Sequence, residues 1–118
     1  MQNTAPDILA LRPETVVALE IGPGCRRRDL PAVGPCRTWI VEMDPGSVWP
    51  VLDQHDRHGE IVLVLSGEMI DGDRRFAAGT YLVYSPHSAH QPHTEVGARL
   101  FGINGVDDVR PSLGHVTA

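Results

Sequence analysis

The sequence predicts an all-β domain, a sandwich or barrel of short strands. Its 12 glycines and 10 prolines are spread along the chain, and turn signals recur roughly every eight to twelve residues. No segment keeps the periodicity of an amphipathic helix over several turns. Short strands separated by closely spaced turns are typical of sandwiches and barrels.

Seven strands are predicted, each rich in β-branched, aliphatic or aromatic residues and bounded by turn-forming residues. The clearest alternation lies in the second strand, where Trp39, Val41 and Met43 fall on one face. Arg99 to Ile103 is the last clear strand. In chain order, the predicted ranges are 16–21, 38–43, 60–65, 68–70, 74–76, 80–84 and 99–103.

Short segments between these strands are predicted as turns, and three of them are the following. Asp71-Gly72 is a two-residue hairpin signal of the type I′ kind. Ser66-Gly67 is expected to bend the chain between the third and fourth strands. The basic run Arg26–Arg28 is followed directly by Asp29, so we interpret it as a solvated turn.

Length and composition favour one globular domain over residues 1–118. An N-terminal arm over about residues 1–13 and a tail over about residues 106–118 are expected to be loosely ordered, because both are weakly patterned. Hydrophobic residues make up 42% of the chain, which excludes a disordered protein. The net charge of −5 offers no electrostatic case for binding nucleic acid or an anionic membrane, and no stretch is long enough to span a membrane.

The first residues lack the basic start and apolar run of a secretory signal, so the expected location is the cytoplasm. Cys25 and Cys36 are expected to be reduced there, although the ten residues between them leave a disulfide open. Neither cysteine belongs to a CxxC pair, so the sequence gives no support to a zinc finger.

The main chemical signal is a group of histidines between positions 55 and 93. Neutral imidazole binds zinc, iron, nickel and copper, and a nearby carboxylate completes a mixed site. Asp53 and His55 can share one face of a strand, and a turn can bring Glu60 beside them. His90 must then come from a neighbouring strand or loop. Five of the six histidines belong to this group: His55, His58, His87, His90 and His93.

The order of these residues resembles the cupin superfamily. His55, four residues, Glu60, six residues and Gly67 match the first family motif, and Gly79 through His90 match the second more loosely. Residues 71–93, DGDRRFAAGTYLVYSPHSAHQPH, look like the cupins related to the ChrR anti-sigma regulator and the acetylacetone dioxygenase-like proteins. The resemblance covers roughly residues 37–104 and implies a cupin barrel (a double-stranded β-helix, or jelly roll).

Two positions depart from the family motifs. Asp53 replaces the first motif histidine, and His87 stands where the second motif has glycine. Aspartate is an acceptable ligand for a hard cation, so Asp53 is expected to be a fourth ligand. The alternative is that its carboxylate holds a ligating histidine in place by a hydrogen bond.

The resemblance implies one divalent metal ion, either iron, zinc, nickel or manganese, held by His55, Glu60 and His90. The catalytic residue is left unassigned, with His93, His58 and Tyr84 as the candidates for acid–base work. Trp49 and Met43 join Tyr84 and His93 as the expected lining of a pocket, and no other cofactor is expected.

The family resemblance also implies a homodimer. The strand that begins at Glu60 supports it, because that strand is apolar on both faces and both faces need cover. The other expected partner is a small-molecule substrate or ligand.

Three functions stay open at this point. One is a metal-dependent, dioxygenase-like enzyme that acts on a small oxygen-rich organic molecule. Another is a non-catalytic sensor or binding module of the anti-sigma cupin type, and a third is an isomerase or polyketide-cyclase-like cupin. The anti-sigma cupins carry a separate N-terminal zinc-binding domain, and the first 30 residues here contain no histidine. That difference argues against a sigma-binding role.

Overall fold

The computed structural model describes residues 7–54 and 58–106, and at residues 53, 54 and 106 it describes the backbone alone. One short 3-10 helix, Pro13–Thr15, precedes nine strands in this part of the chain. None of its helices is long and apolar enough to cross a membrane. The strands are β1 Leu19–Gly22, β2 Cys25–Leu30, β3 Arg37–Met43, β4 Asp53–Gln54, β5 Gly59–Asp71, β6 Arg74–Ala77, β7 Tyr81–Tyr84, β8 Ala89–His90 and β9 Ala98–Val106.

The strands form two antiparallel sheets. The larger sheet has the order β1-β2-β3-β9-β5-β6, with β7 also paired to β5, and the smaller sheet consists of β4 and β8. Every pairing in these sheets is antiparallel. The prediction of an all-β domain is confirmed.

The strands predicted at 60–65 and 68–70 are one continuous strand, β5, so the predicted break at Ser66-Gly67 is wrong. Gly67 has φ 73°, and a Cβ there would lie 1.9 Å from the carbonyl oxygen of Gly97. The register with β9 shifts between Val64 and Ser66. A bulge therefore replaces the expected bend, and it requires glycine because only glycine permits this approach and this φ without strain.

The hairpin between β5 and β6 is present but lies one residue further along than predicted. Asp71 pairs with Arg74, which leaves Gly72 and Asp73 as the two loop residues. Among the described residues of this hairpin, Gly72 is the one with positive φ, at 64°. Since a type I′ turn needs positive φ at both loop positions, the glycine at the first position fits a type II′ turn instead.

The solvated turn predicted at Arg26–Arg28 is wrong, because these residues lie in β2 and pair with β3. Arg28 Nε donates to Glu42 Oε1 at 3.3 Å, and Arg28 Nη1 donates to the carbonyl oxygen of Val16 at 2.6 Å. Arg99 Nε donates to the other oxygen of Glu42 at 3.4 Å. The half-buried carboxylate of Glu42 thus offsets the positive charge of Arg28. This explains how a run of arginines is accommodated in a strand.

The core lies on the inward face of the larger sheet. Its buried side chains include Cys25, Val41, Met43, Val62, Val64, Met69 and Leu100. Both cysteines are free thiols, in agreement with the expected reduced state. Burial, the largest cause, raises the pKa of the Cys25 thiol, so Cys25 acts as a small apolar core residue.

Candidate functional site

Four polar or amphipathic residues lie side by side across the inward face of the larger sheet, and we call them the polar row. In register, Arg37 on β3 lies opposite Asn104 on β9, and Asn104 lies opposite Glu60 on β5. Glu60 in turn lies opposite Tyr84 on β7. Neighbouring strands are about 4.8 Å apart, so the four residues follow one another across the sheet.

Glu60 contacts His90, which the smaller sheet carries to the polar row. His90 Nε2 lies 3.3 Å from Glu60 Oε1, and both side chains are 4% exposed. A carboxylate is costly to bury unless it is paired, so this contact and that of Asn104 explain how Glu60 is accommodated. The structure thus brings together two of the residues that the sequence predicted as ligands.

Asn104 holds the second oxygen of Glu60, and Trp39 holds Asn104 in turn. Asn104 Nδ2 donates to Glu60 Oε2 at 2.8 Å, and the indole Nε1 of Trp39 donates to Asn104 Oδ1. The indole thereby sets which end of the amide faces Glu60. This arrangement leaves Glu60 Oε1 directed at His90.

Gly102 makes room for this chain of hydrogen bonds. It lies opposite Trp39 on the inward face of β9, and a Cβ at Gly102 would lie 2.0 Å from the indole ring. Sequence reasoning did not select Asn104 or Gly102 as site residues. The signal was a glycine and an asparagine two residues apart in a mostly apolar strand, because glycine in a strand often marks a close approach.

Tyr84 stacks on His90, with ring centroids 4.0 Å apart and an angle of 15° between the planes. Its hydroxyl donates to Asp71 Oδ2 at 2.9 Å. Burial, followed by the hydrogen bond to Asp71, raises the pKa of Tyr84 well above its ordinary value. The phenol therefore stays protonated at neutral pH, and its ring restricts the orientation of the imidazole.

Asp53 reaches the site through its backbone, which pairs with His90 between β4 and β8. The side chain of Asp53 and the whole of His55 lie outside the described residues. Among the side chains that the structure does describe, no group of three or more His, Cys, Asp or Glu residues is placed to hold a metal ion.

The remaining histidines are placed differently from one another. His58 is half-buried and lines the cavity described below, whereas His93 is held by two backbone hydrogen bonds to Ile70, of 2.8 and 2.9 Å. His87 is exposed and has φ 68°. That left-handed backbone favours glycine, which explains why glycine suits the motif position that His87 occupies.

A cavity of about 830 Å³ opens onto Glu60 and His90, which is within the range of small-molecule sites. Trp49 and Met43 line it, as the sequence predicted, together with Trp39. Tyr84 and His93 do not line it in the described part of the chain. Its titratable lining residues are Arg27, Asp29, Cys36, Arg37, His58, Glu60 and His90.

Comparison with known proteins identifies the family. Residues 11–105 match the family described as ChrR Cupin-like domain, a longer match than the 37–104 expected from the motifs. No curated protein gives a significant match.

Solved structures give the same fold. A chain of the complex between SigE and the anti-sigma ChrR of Rhodobacter sphaeroides is 27% identical, with a TM-score of 0.71 over 80% of this chain. This protein spans about half, 52%, of that chain's length.

Two further similar structures bear the names of enzymes. Their sequence identities to this chain are low, so the comparison shows the fold alone. An acetylacetone dioxygenase from Acinetobacter johnsonii is 16% identical, with a TM-score of 0.68, covering 87% of this chain and 76% of its own. The polyketide cyclase RemF from Streptomyces resistomycificus is 13% identical, with a TM-score of 0.70, covering 90% and 88%. The predicted cupin barrel is confirmed.

Proposed function

Because the chain belongs to the family of ChrR cupin-like domains, we propose that it binds one divalent metal ion through His55, Glu60 and His90. Asp53 is the fourth ligand in this proposal. The single observation that carries it is the contact of 3.3 Å between His90 Nε2 and Glu60 Oε1 at the cavity. An imidazole nitrogen and a carboxylate oxygen that converge in a buried place match the donor preferences of iron, zinc, nickel and manganese.

The surroundings of Glu60 and His90 support the same proposal. Asn104 holds Glu60 Oε2 at 2.8 Å, which orients the carboxylate with Oε1 toward His90. The ring of Tyr84 restricts the rotation of His90. Ligands that are oriented by neighbouring groups bind metal more tightly than free ones. In addition, the backbone of Asp53 in β4 pairs with that of His90 in β8.

The cavity beside this pair supports a small-molecule reaction. When bound, the metal supplies a Lewis acid, or a redox centre if it is iron. The protein supplies a pocket with Trp39, Trp49 and Met43 as apolar walls, and His58 is the acid–base candidate that reaches it. We propose a metal-dependent, dioxygenase-like enzyme for a small oxygen-rich organic molecule, with an isomerase or cyclase as the alternative within the same site.

A non-catalytic sensor is the second candidate function. The observation that favours it is the 27% identity to a chain of the SigE–ChrR complex, higher than that to the dioxygenase or the cyclase. The same metal site serves both candidates, and iron in it would favour the enzyme. Iron supports oxygen chemistry, and zinc supports a sensor or a Lewis-acid role.

The first experiment is elemental analysis of the purified protein and of His55→Ala. We expect about one metal ion per chain in the wild type and a loss of most of it in His55→Ala, because removing a ligand costs more than the about 10- to 100-fold lost with a supporting residue. His87→Asn is the matched control, since His87 is exposed and asparagine tolerates its backbone. Equal metal in the wild type and His55→Ala would refute the site, and full occupancy in Asp53→Asn would remove Asp53 from the ligands.

We also propose that the chain forms a homodimer through the outward face of β5, β7 and β9. Ile61, Leu63, Phe101 and Ile103 lie together on that face, where each is partly exposed. Apolar side chains grouped in this way favour a partner surface. Size-exclusion chromatography with light scattering is expected to give twice the 12.9 kDa chain mass. A monomer at micromolar concentration contradicts the proposal, and Leu63→Glu is expected to dissociate the dimer.

A further inference from the structure

The cavity has opposite charges at its two ends, and both come from members of the polar row. Glu60, with His90 beside it, occupies one side, and Arg37 lies two strands away, beyond Asn104. Two strand spacings amount to about 10 Å. Arg37, Asn104, Glu60 and His90 all line the same cavity, so one small molecule is able to contact both ends.

Arg37 differs from the other arginines in its contacts. Within residues 7–54 and 58–106, Arg37 has no carboxylate within salt-bridge distance and no aromatic ring contact, whereas every other described arginine has one of the two. Arg27, the other arginine of the cavity, already has Asp29 Oδ1 at 2.8 Å from its Nε and Oδ2 at 3.3 Å from its Nη2. The guanidinium of Arg37 is therefore the one available to an anion from the cavity.

Apolar walls lie between the two ends. Trp39 follows Arg37 by two residues on the same face of β3, and Trp49 lines the cavity as well. Trp39 is held by its hydrogen bond to Asn104 and by Gly102 beneath it. A flat or short apolar body fits against such rings.

From this arrangement we propose that the cavity binds a small organic monocarboxylate, with its carboxylate on Arg37 and its apolar ring or chain against Trp39 and Trp49. In the metal-free protein the Glu60 carboxylate repels a second anion, which favours a position for the ligand's carboxylate at Arg37. The guanidinium offers the paired donors that a carboxylate accepts. This proposal rests on the proposed function, because the other end of the ligand is placed at Glu60 and His90.

The test uses the full chain freed of metal with a chelator, so that a metal ion cannot bind the carboxylate. Benzoate is the probe and benzamide its uncharged counterpart, with dissociation constants taken from saturation-transfer NMR titrations. We expect benzoate to bind the wild type about two- to fivefold more tightly than benzamide, because Arg37 is exposed and solvent screens its contact with a carboxylate. In Arg37→Gln that preference is expected to disappear, and in Arg37→Lys to be partly kept.

Arg12→Gln is the matched control, because the Arg12 side chain is 84% exposed and lies outside the cavity lining. It is expected to keep the wild-type preference for benzoate. Equal binding of benzoate and benzamide to the wild type, or a preference that survives in Arg37→Gln, would overturn the proposal. Metal content measured in parallel separates the two proposals, since Arg37→Gln is expected to keep wild-type metal. A wild type without metal would refute only the metal site.

Discussion

Replacing His90 by alanine is expected to weaken the binding of Zn²⁺ or Co²⁺ by well over about 10-fold, the lower end of the loss seen when only a supporting residue is removed. The substitution deletes the imidazole that lies 3.3 Å from Glu60, one of the two described residues proposed as ligands. The measurement is a competition titration against a chromogenic chelator. Because Tyr84 also loses its stacking partner, thermal unfolding is recorded for each variant.

Glu60→Gln separates loss of the ligand from loss of the fold. Glutamine has the shape of glutamate, and its side-chain oxygen still accepts the hydrogen bond from Asn104. We therefore expect Glu60→Gln to lose metal as His90→Ala does, with a smaller loss of stability. The exposed His87, changed to asparagine, again serves as the control and is expected to bind metal as the wild type does. If both His90→Ala and Glu60→Gln keep wild-type affinity, neither residue is a ligand.

Changing Gly102 to alanine is expected to destabilise the protein by about 2 to 3 kcal/mol, toward the upper end of the cost of overpacking. The added Cβ would lie 2.0 to 2.5 Å from three atoms of the Trp39 indole, closer than atoms can approach. The indole must therefore move, and its hydrogen bond to Asn104 is lost. Urea unfolding measures the free-energy change, and the metal titration is expected to show weaker binding because Asn104 no longer holds Glu60.

A double-mutant cycle tests whether the indole is the cause. Trp39→Leu removes the ring that meets the added Cβ, so Gly102→Ala is expected to cost much less in that background. An equal cost with and without the indole would show that the destabilisation arises elsewhere in β9. Asn104→Leu, which leaves Gly102 and its packing intact, is expected to weaken metal binding with a smaller effect on stability.

Local chemistry explains why part of the fold was predictable. Alternating apolar residues and closely spaced turns predicted the strands at 38–43, 60–65, 80–84 and 99–103, and the structure has strands at all four. The family motif has a glycine at the position of Gly67, and the φ of 73° shows why glycine is needed there. The hairpin after β5 was found but placed one residue early, since sequence alone does not show which residues pair across it.

The interpretation of Arg26–Arg28 failed for a reason that local sequence does not contain. A run of three arginines favours solvent when it is considered alone. In the fold, pairing with β3 satisfies its backbone, and Glu42, Asp44 and Asp29 take up its charges. Glu42 is 14 residues from Arg28, so the compensation depends on strand pairing that the sequence does not display.

The candidate site divides along the same line. The sequence alone predicted the all-β class, the cupin family, and Glu60 and His90 as candidate ligands. Each of these predictions depends on residue type and on spacing within short segments. Only the tertiary structure placed Arg37, Asn104 and Glu60 in one row and set Trp39 over Gly102. Those neighbours come from β3, β5 and β9, and the register between such distant strands is decided by how the whole sheet packs its inward face over the core.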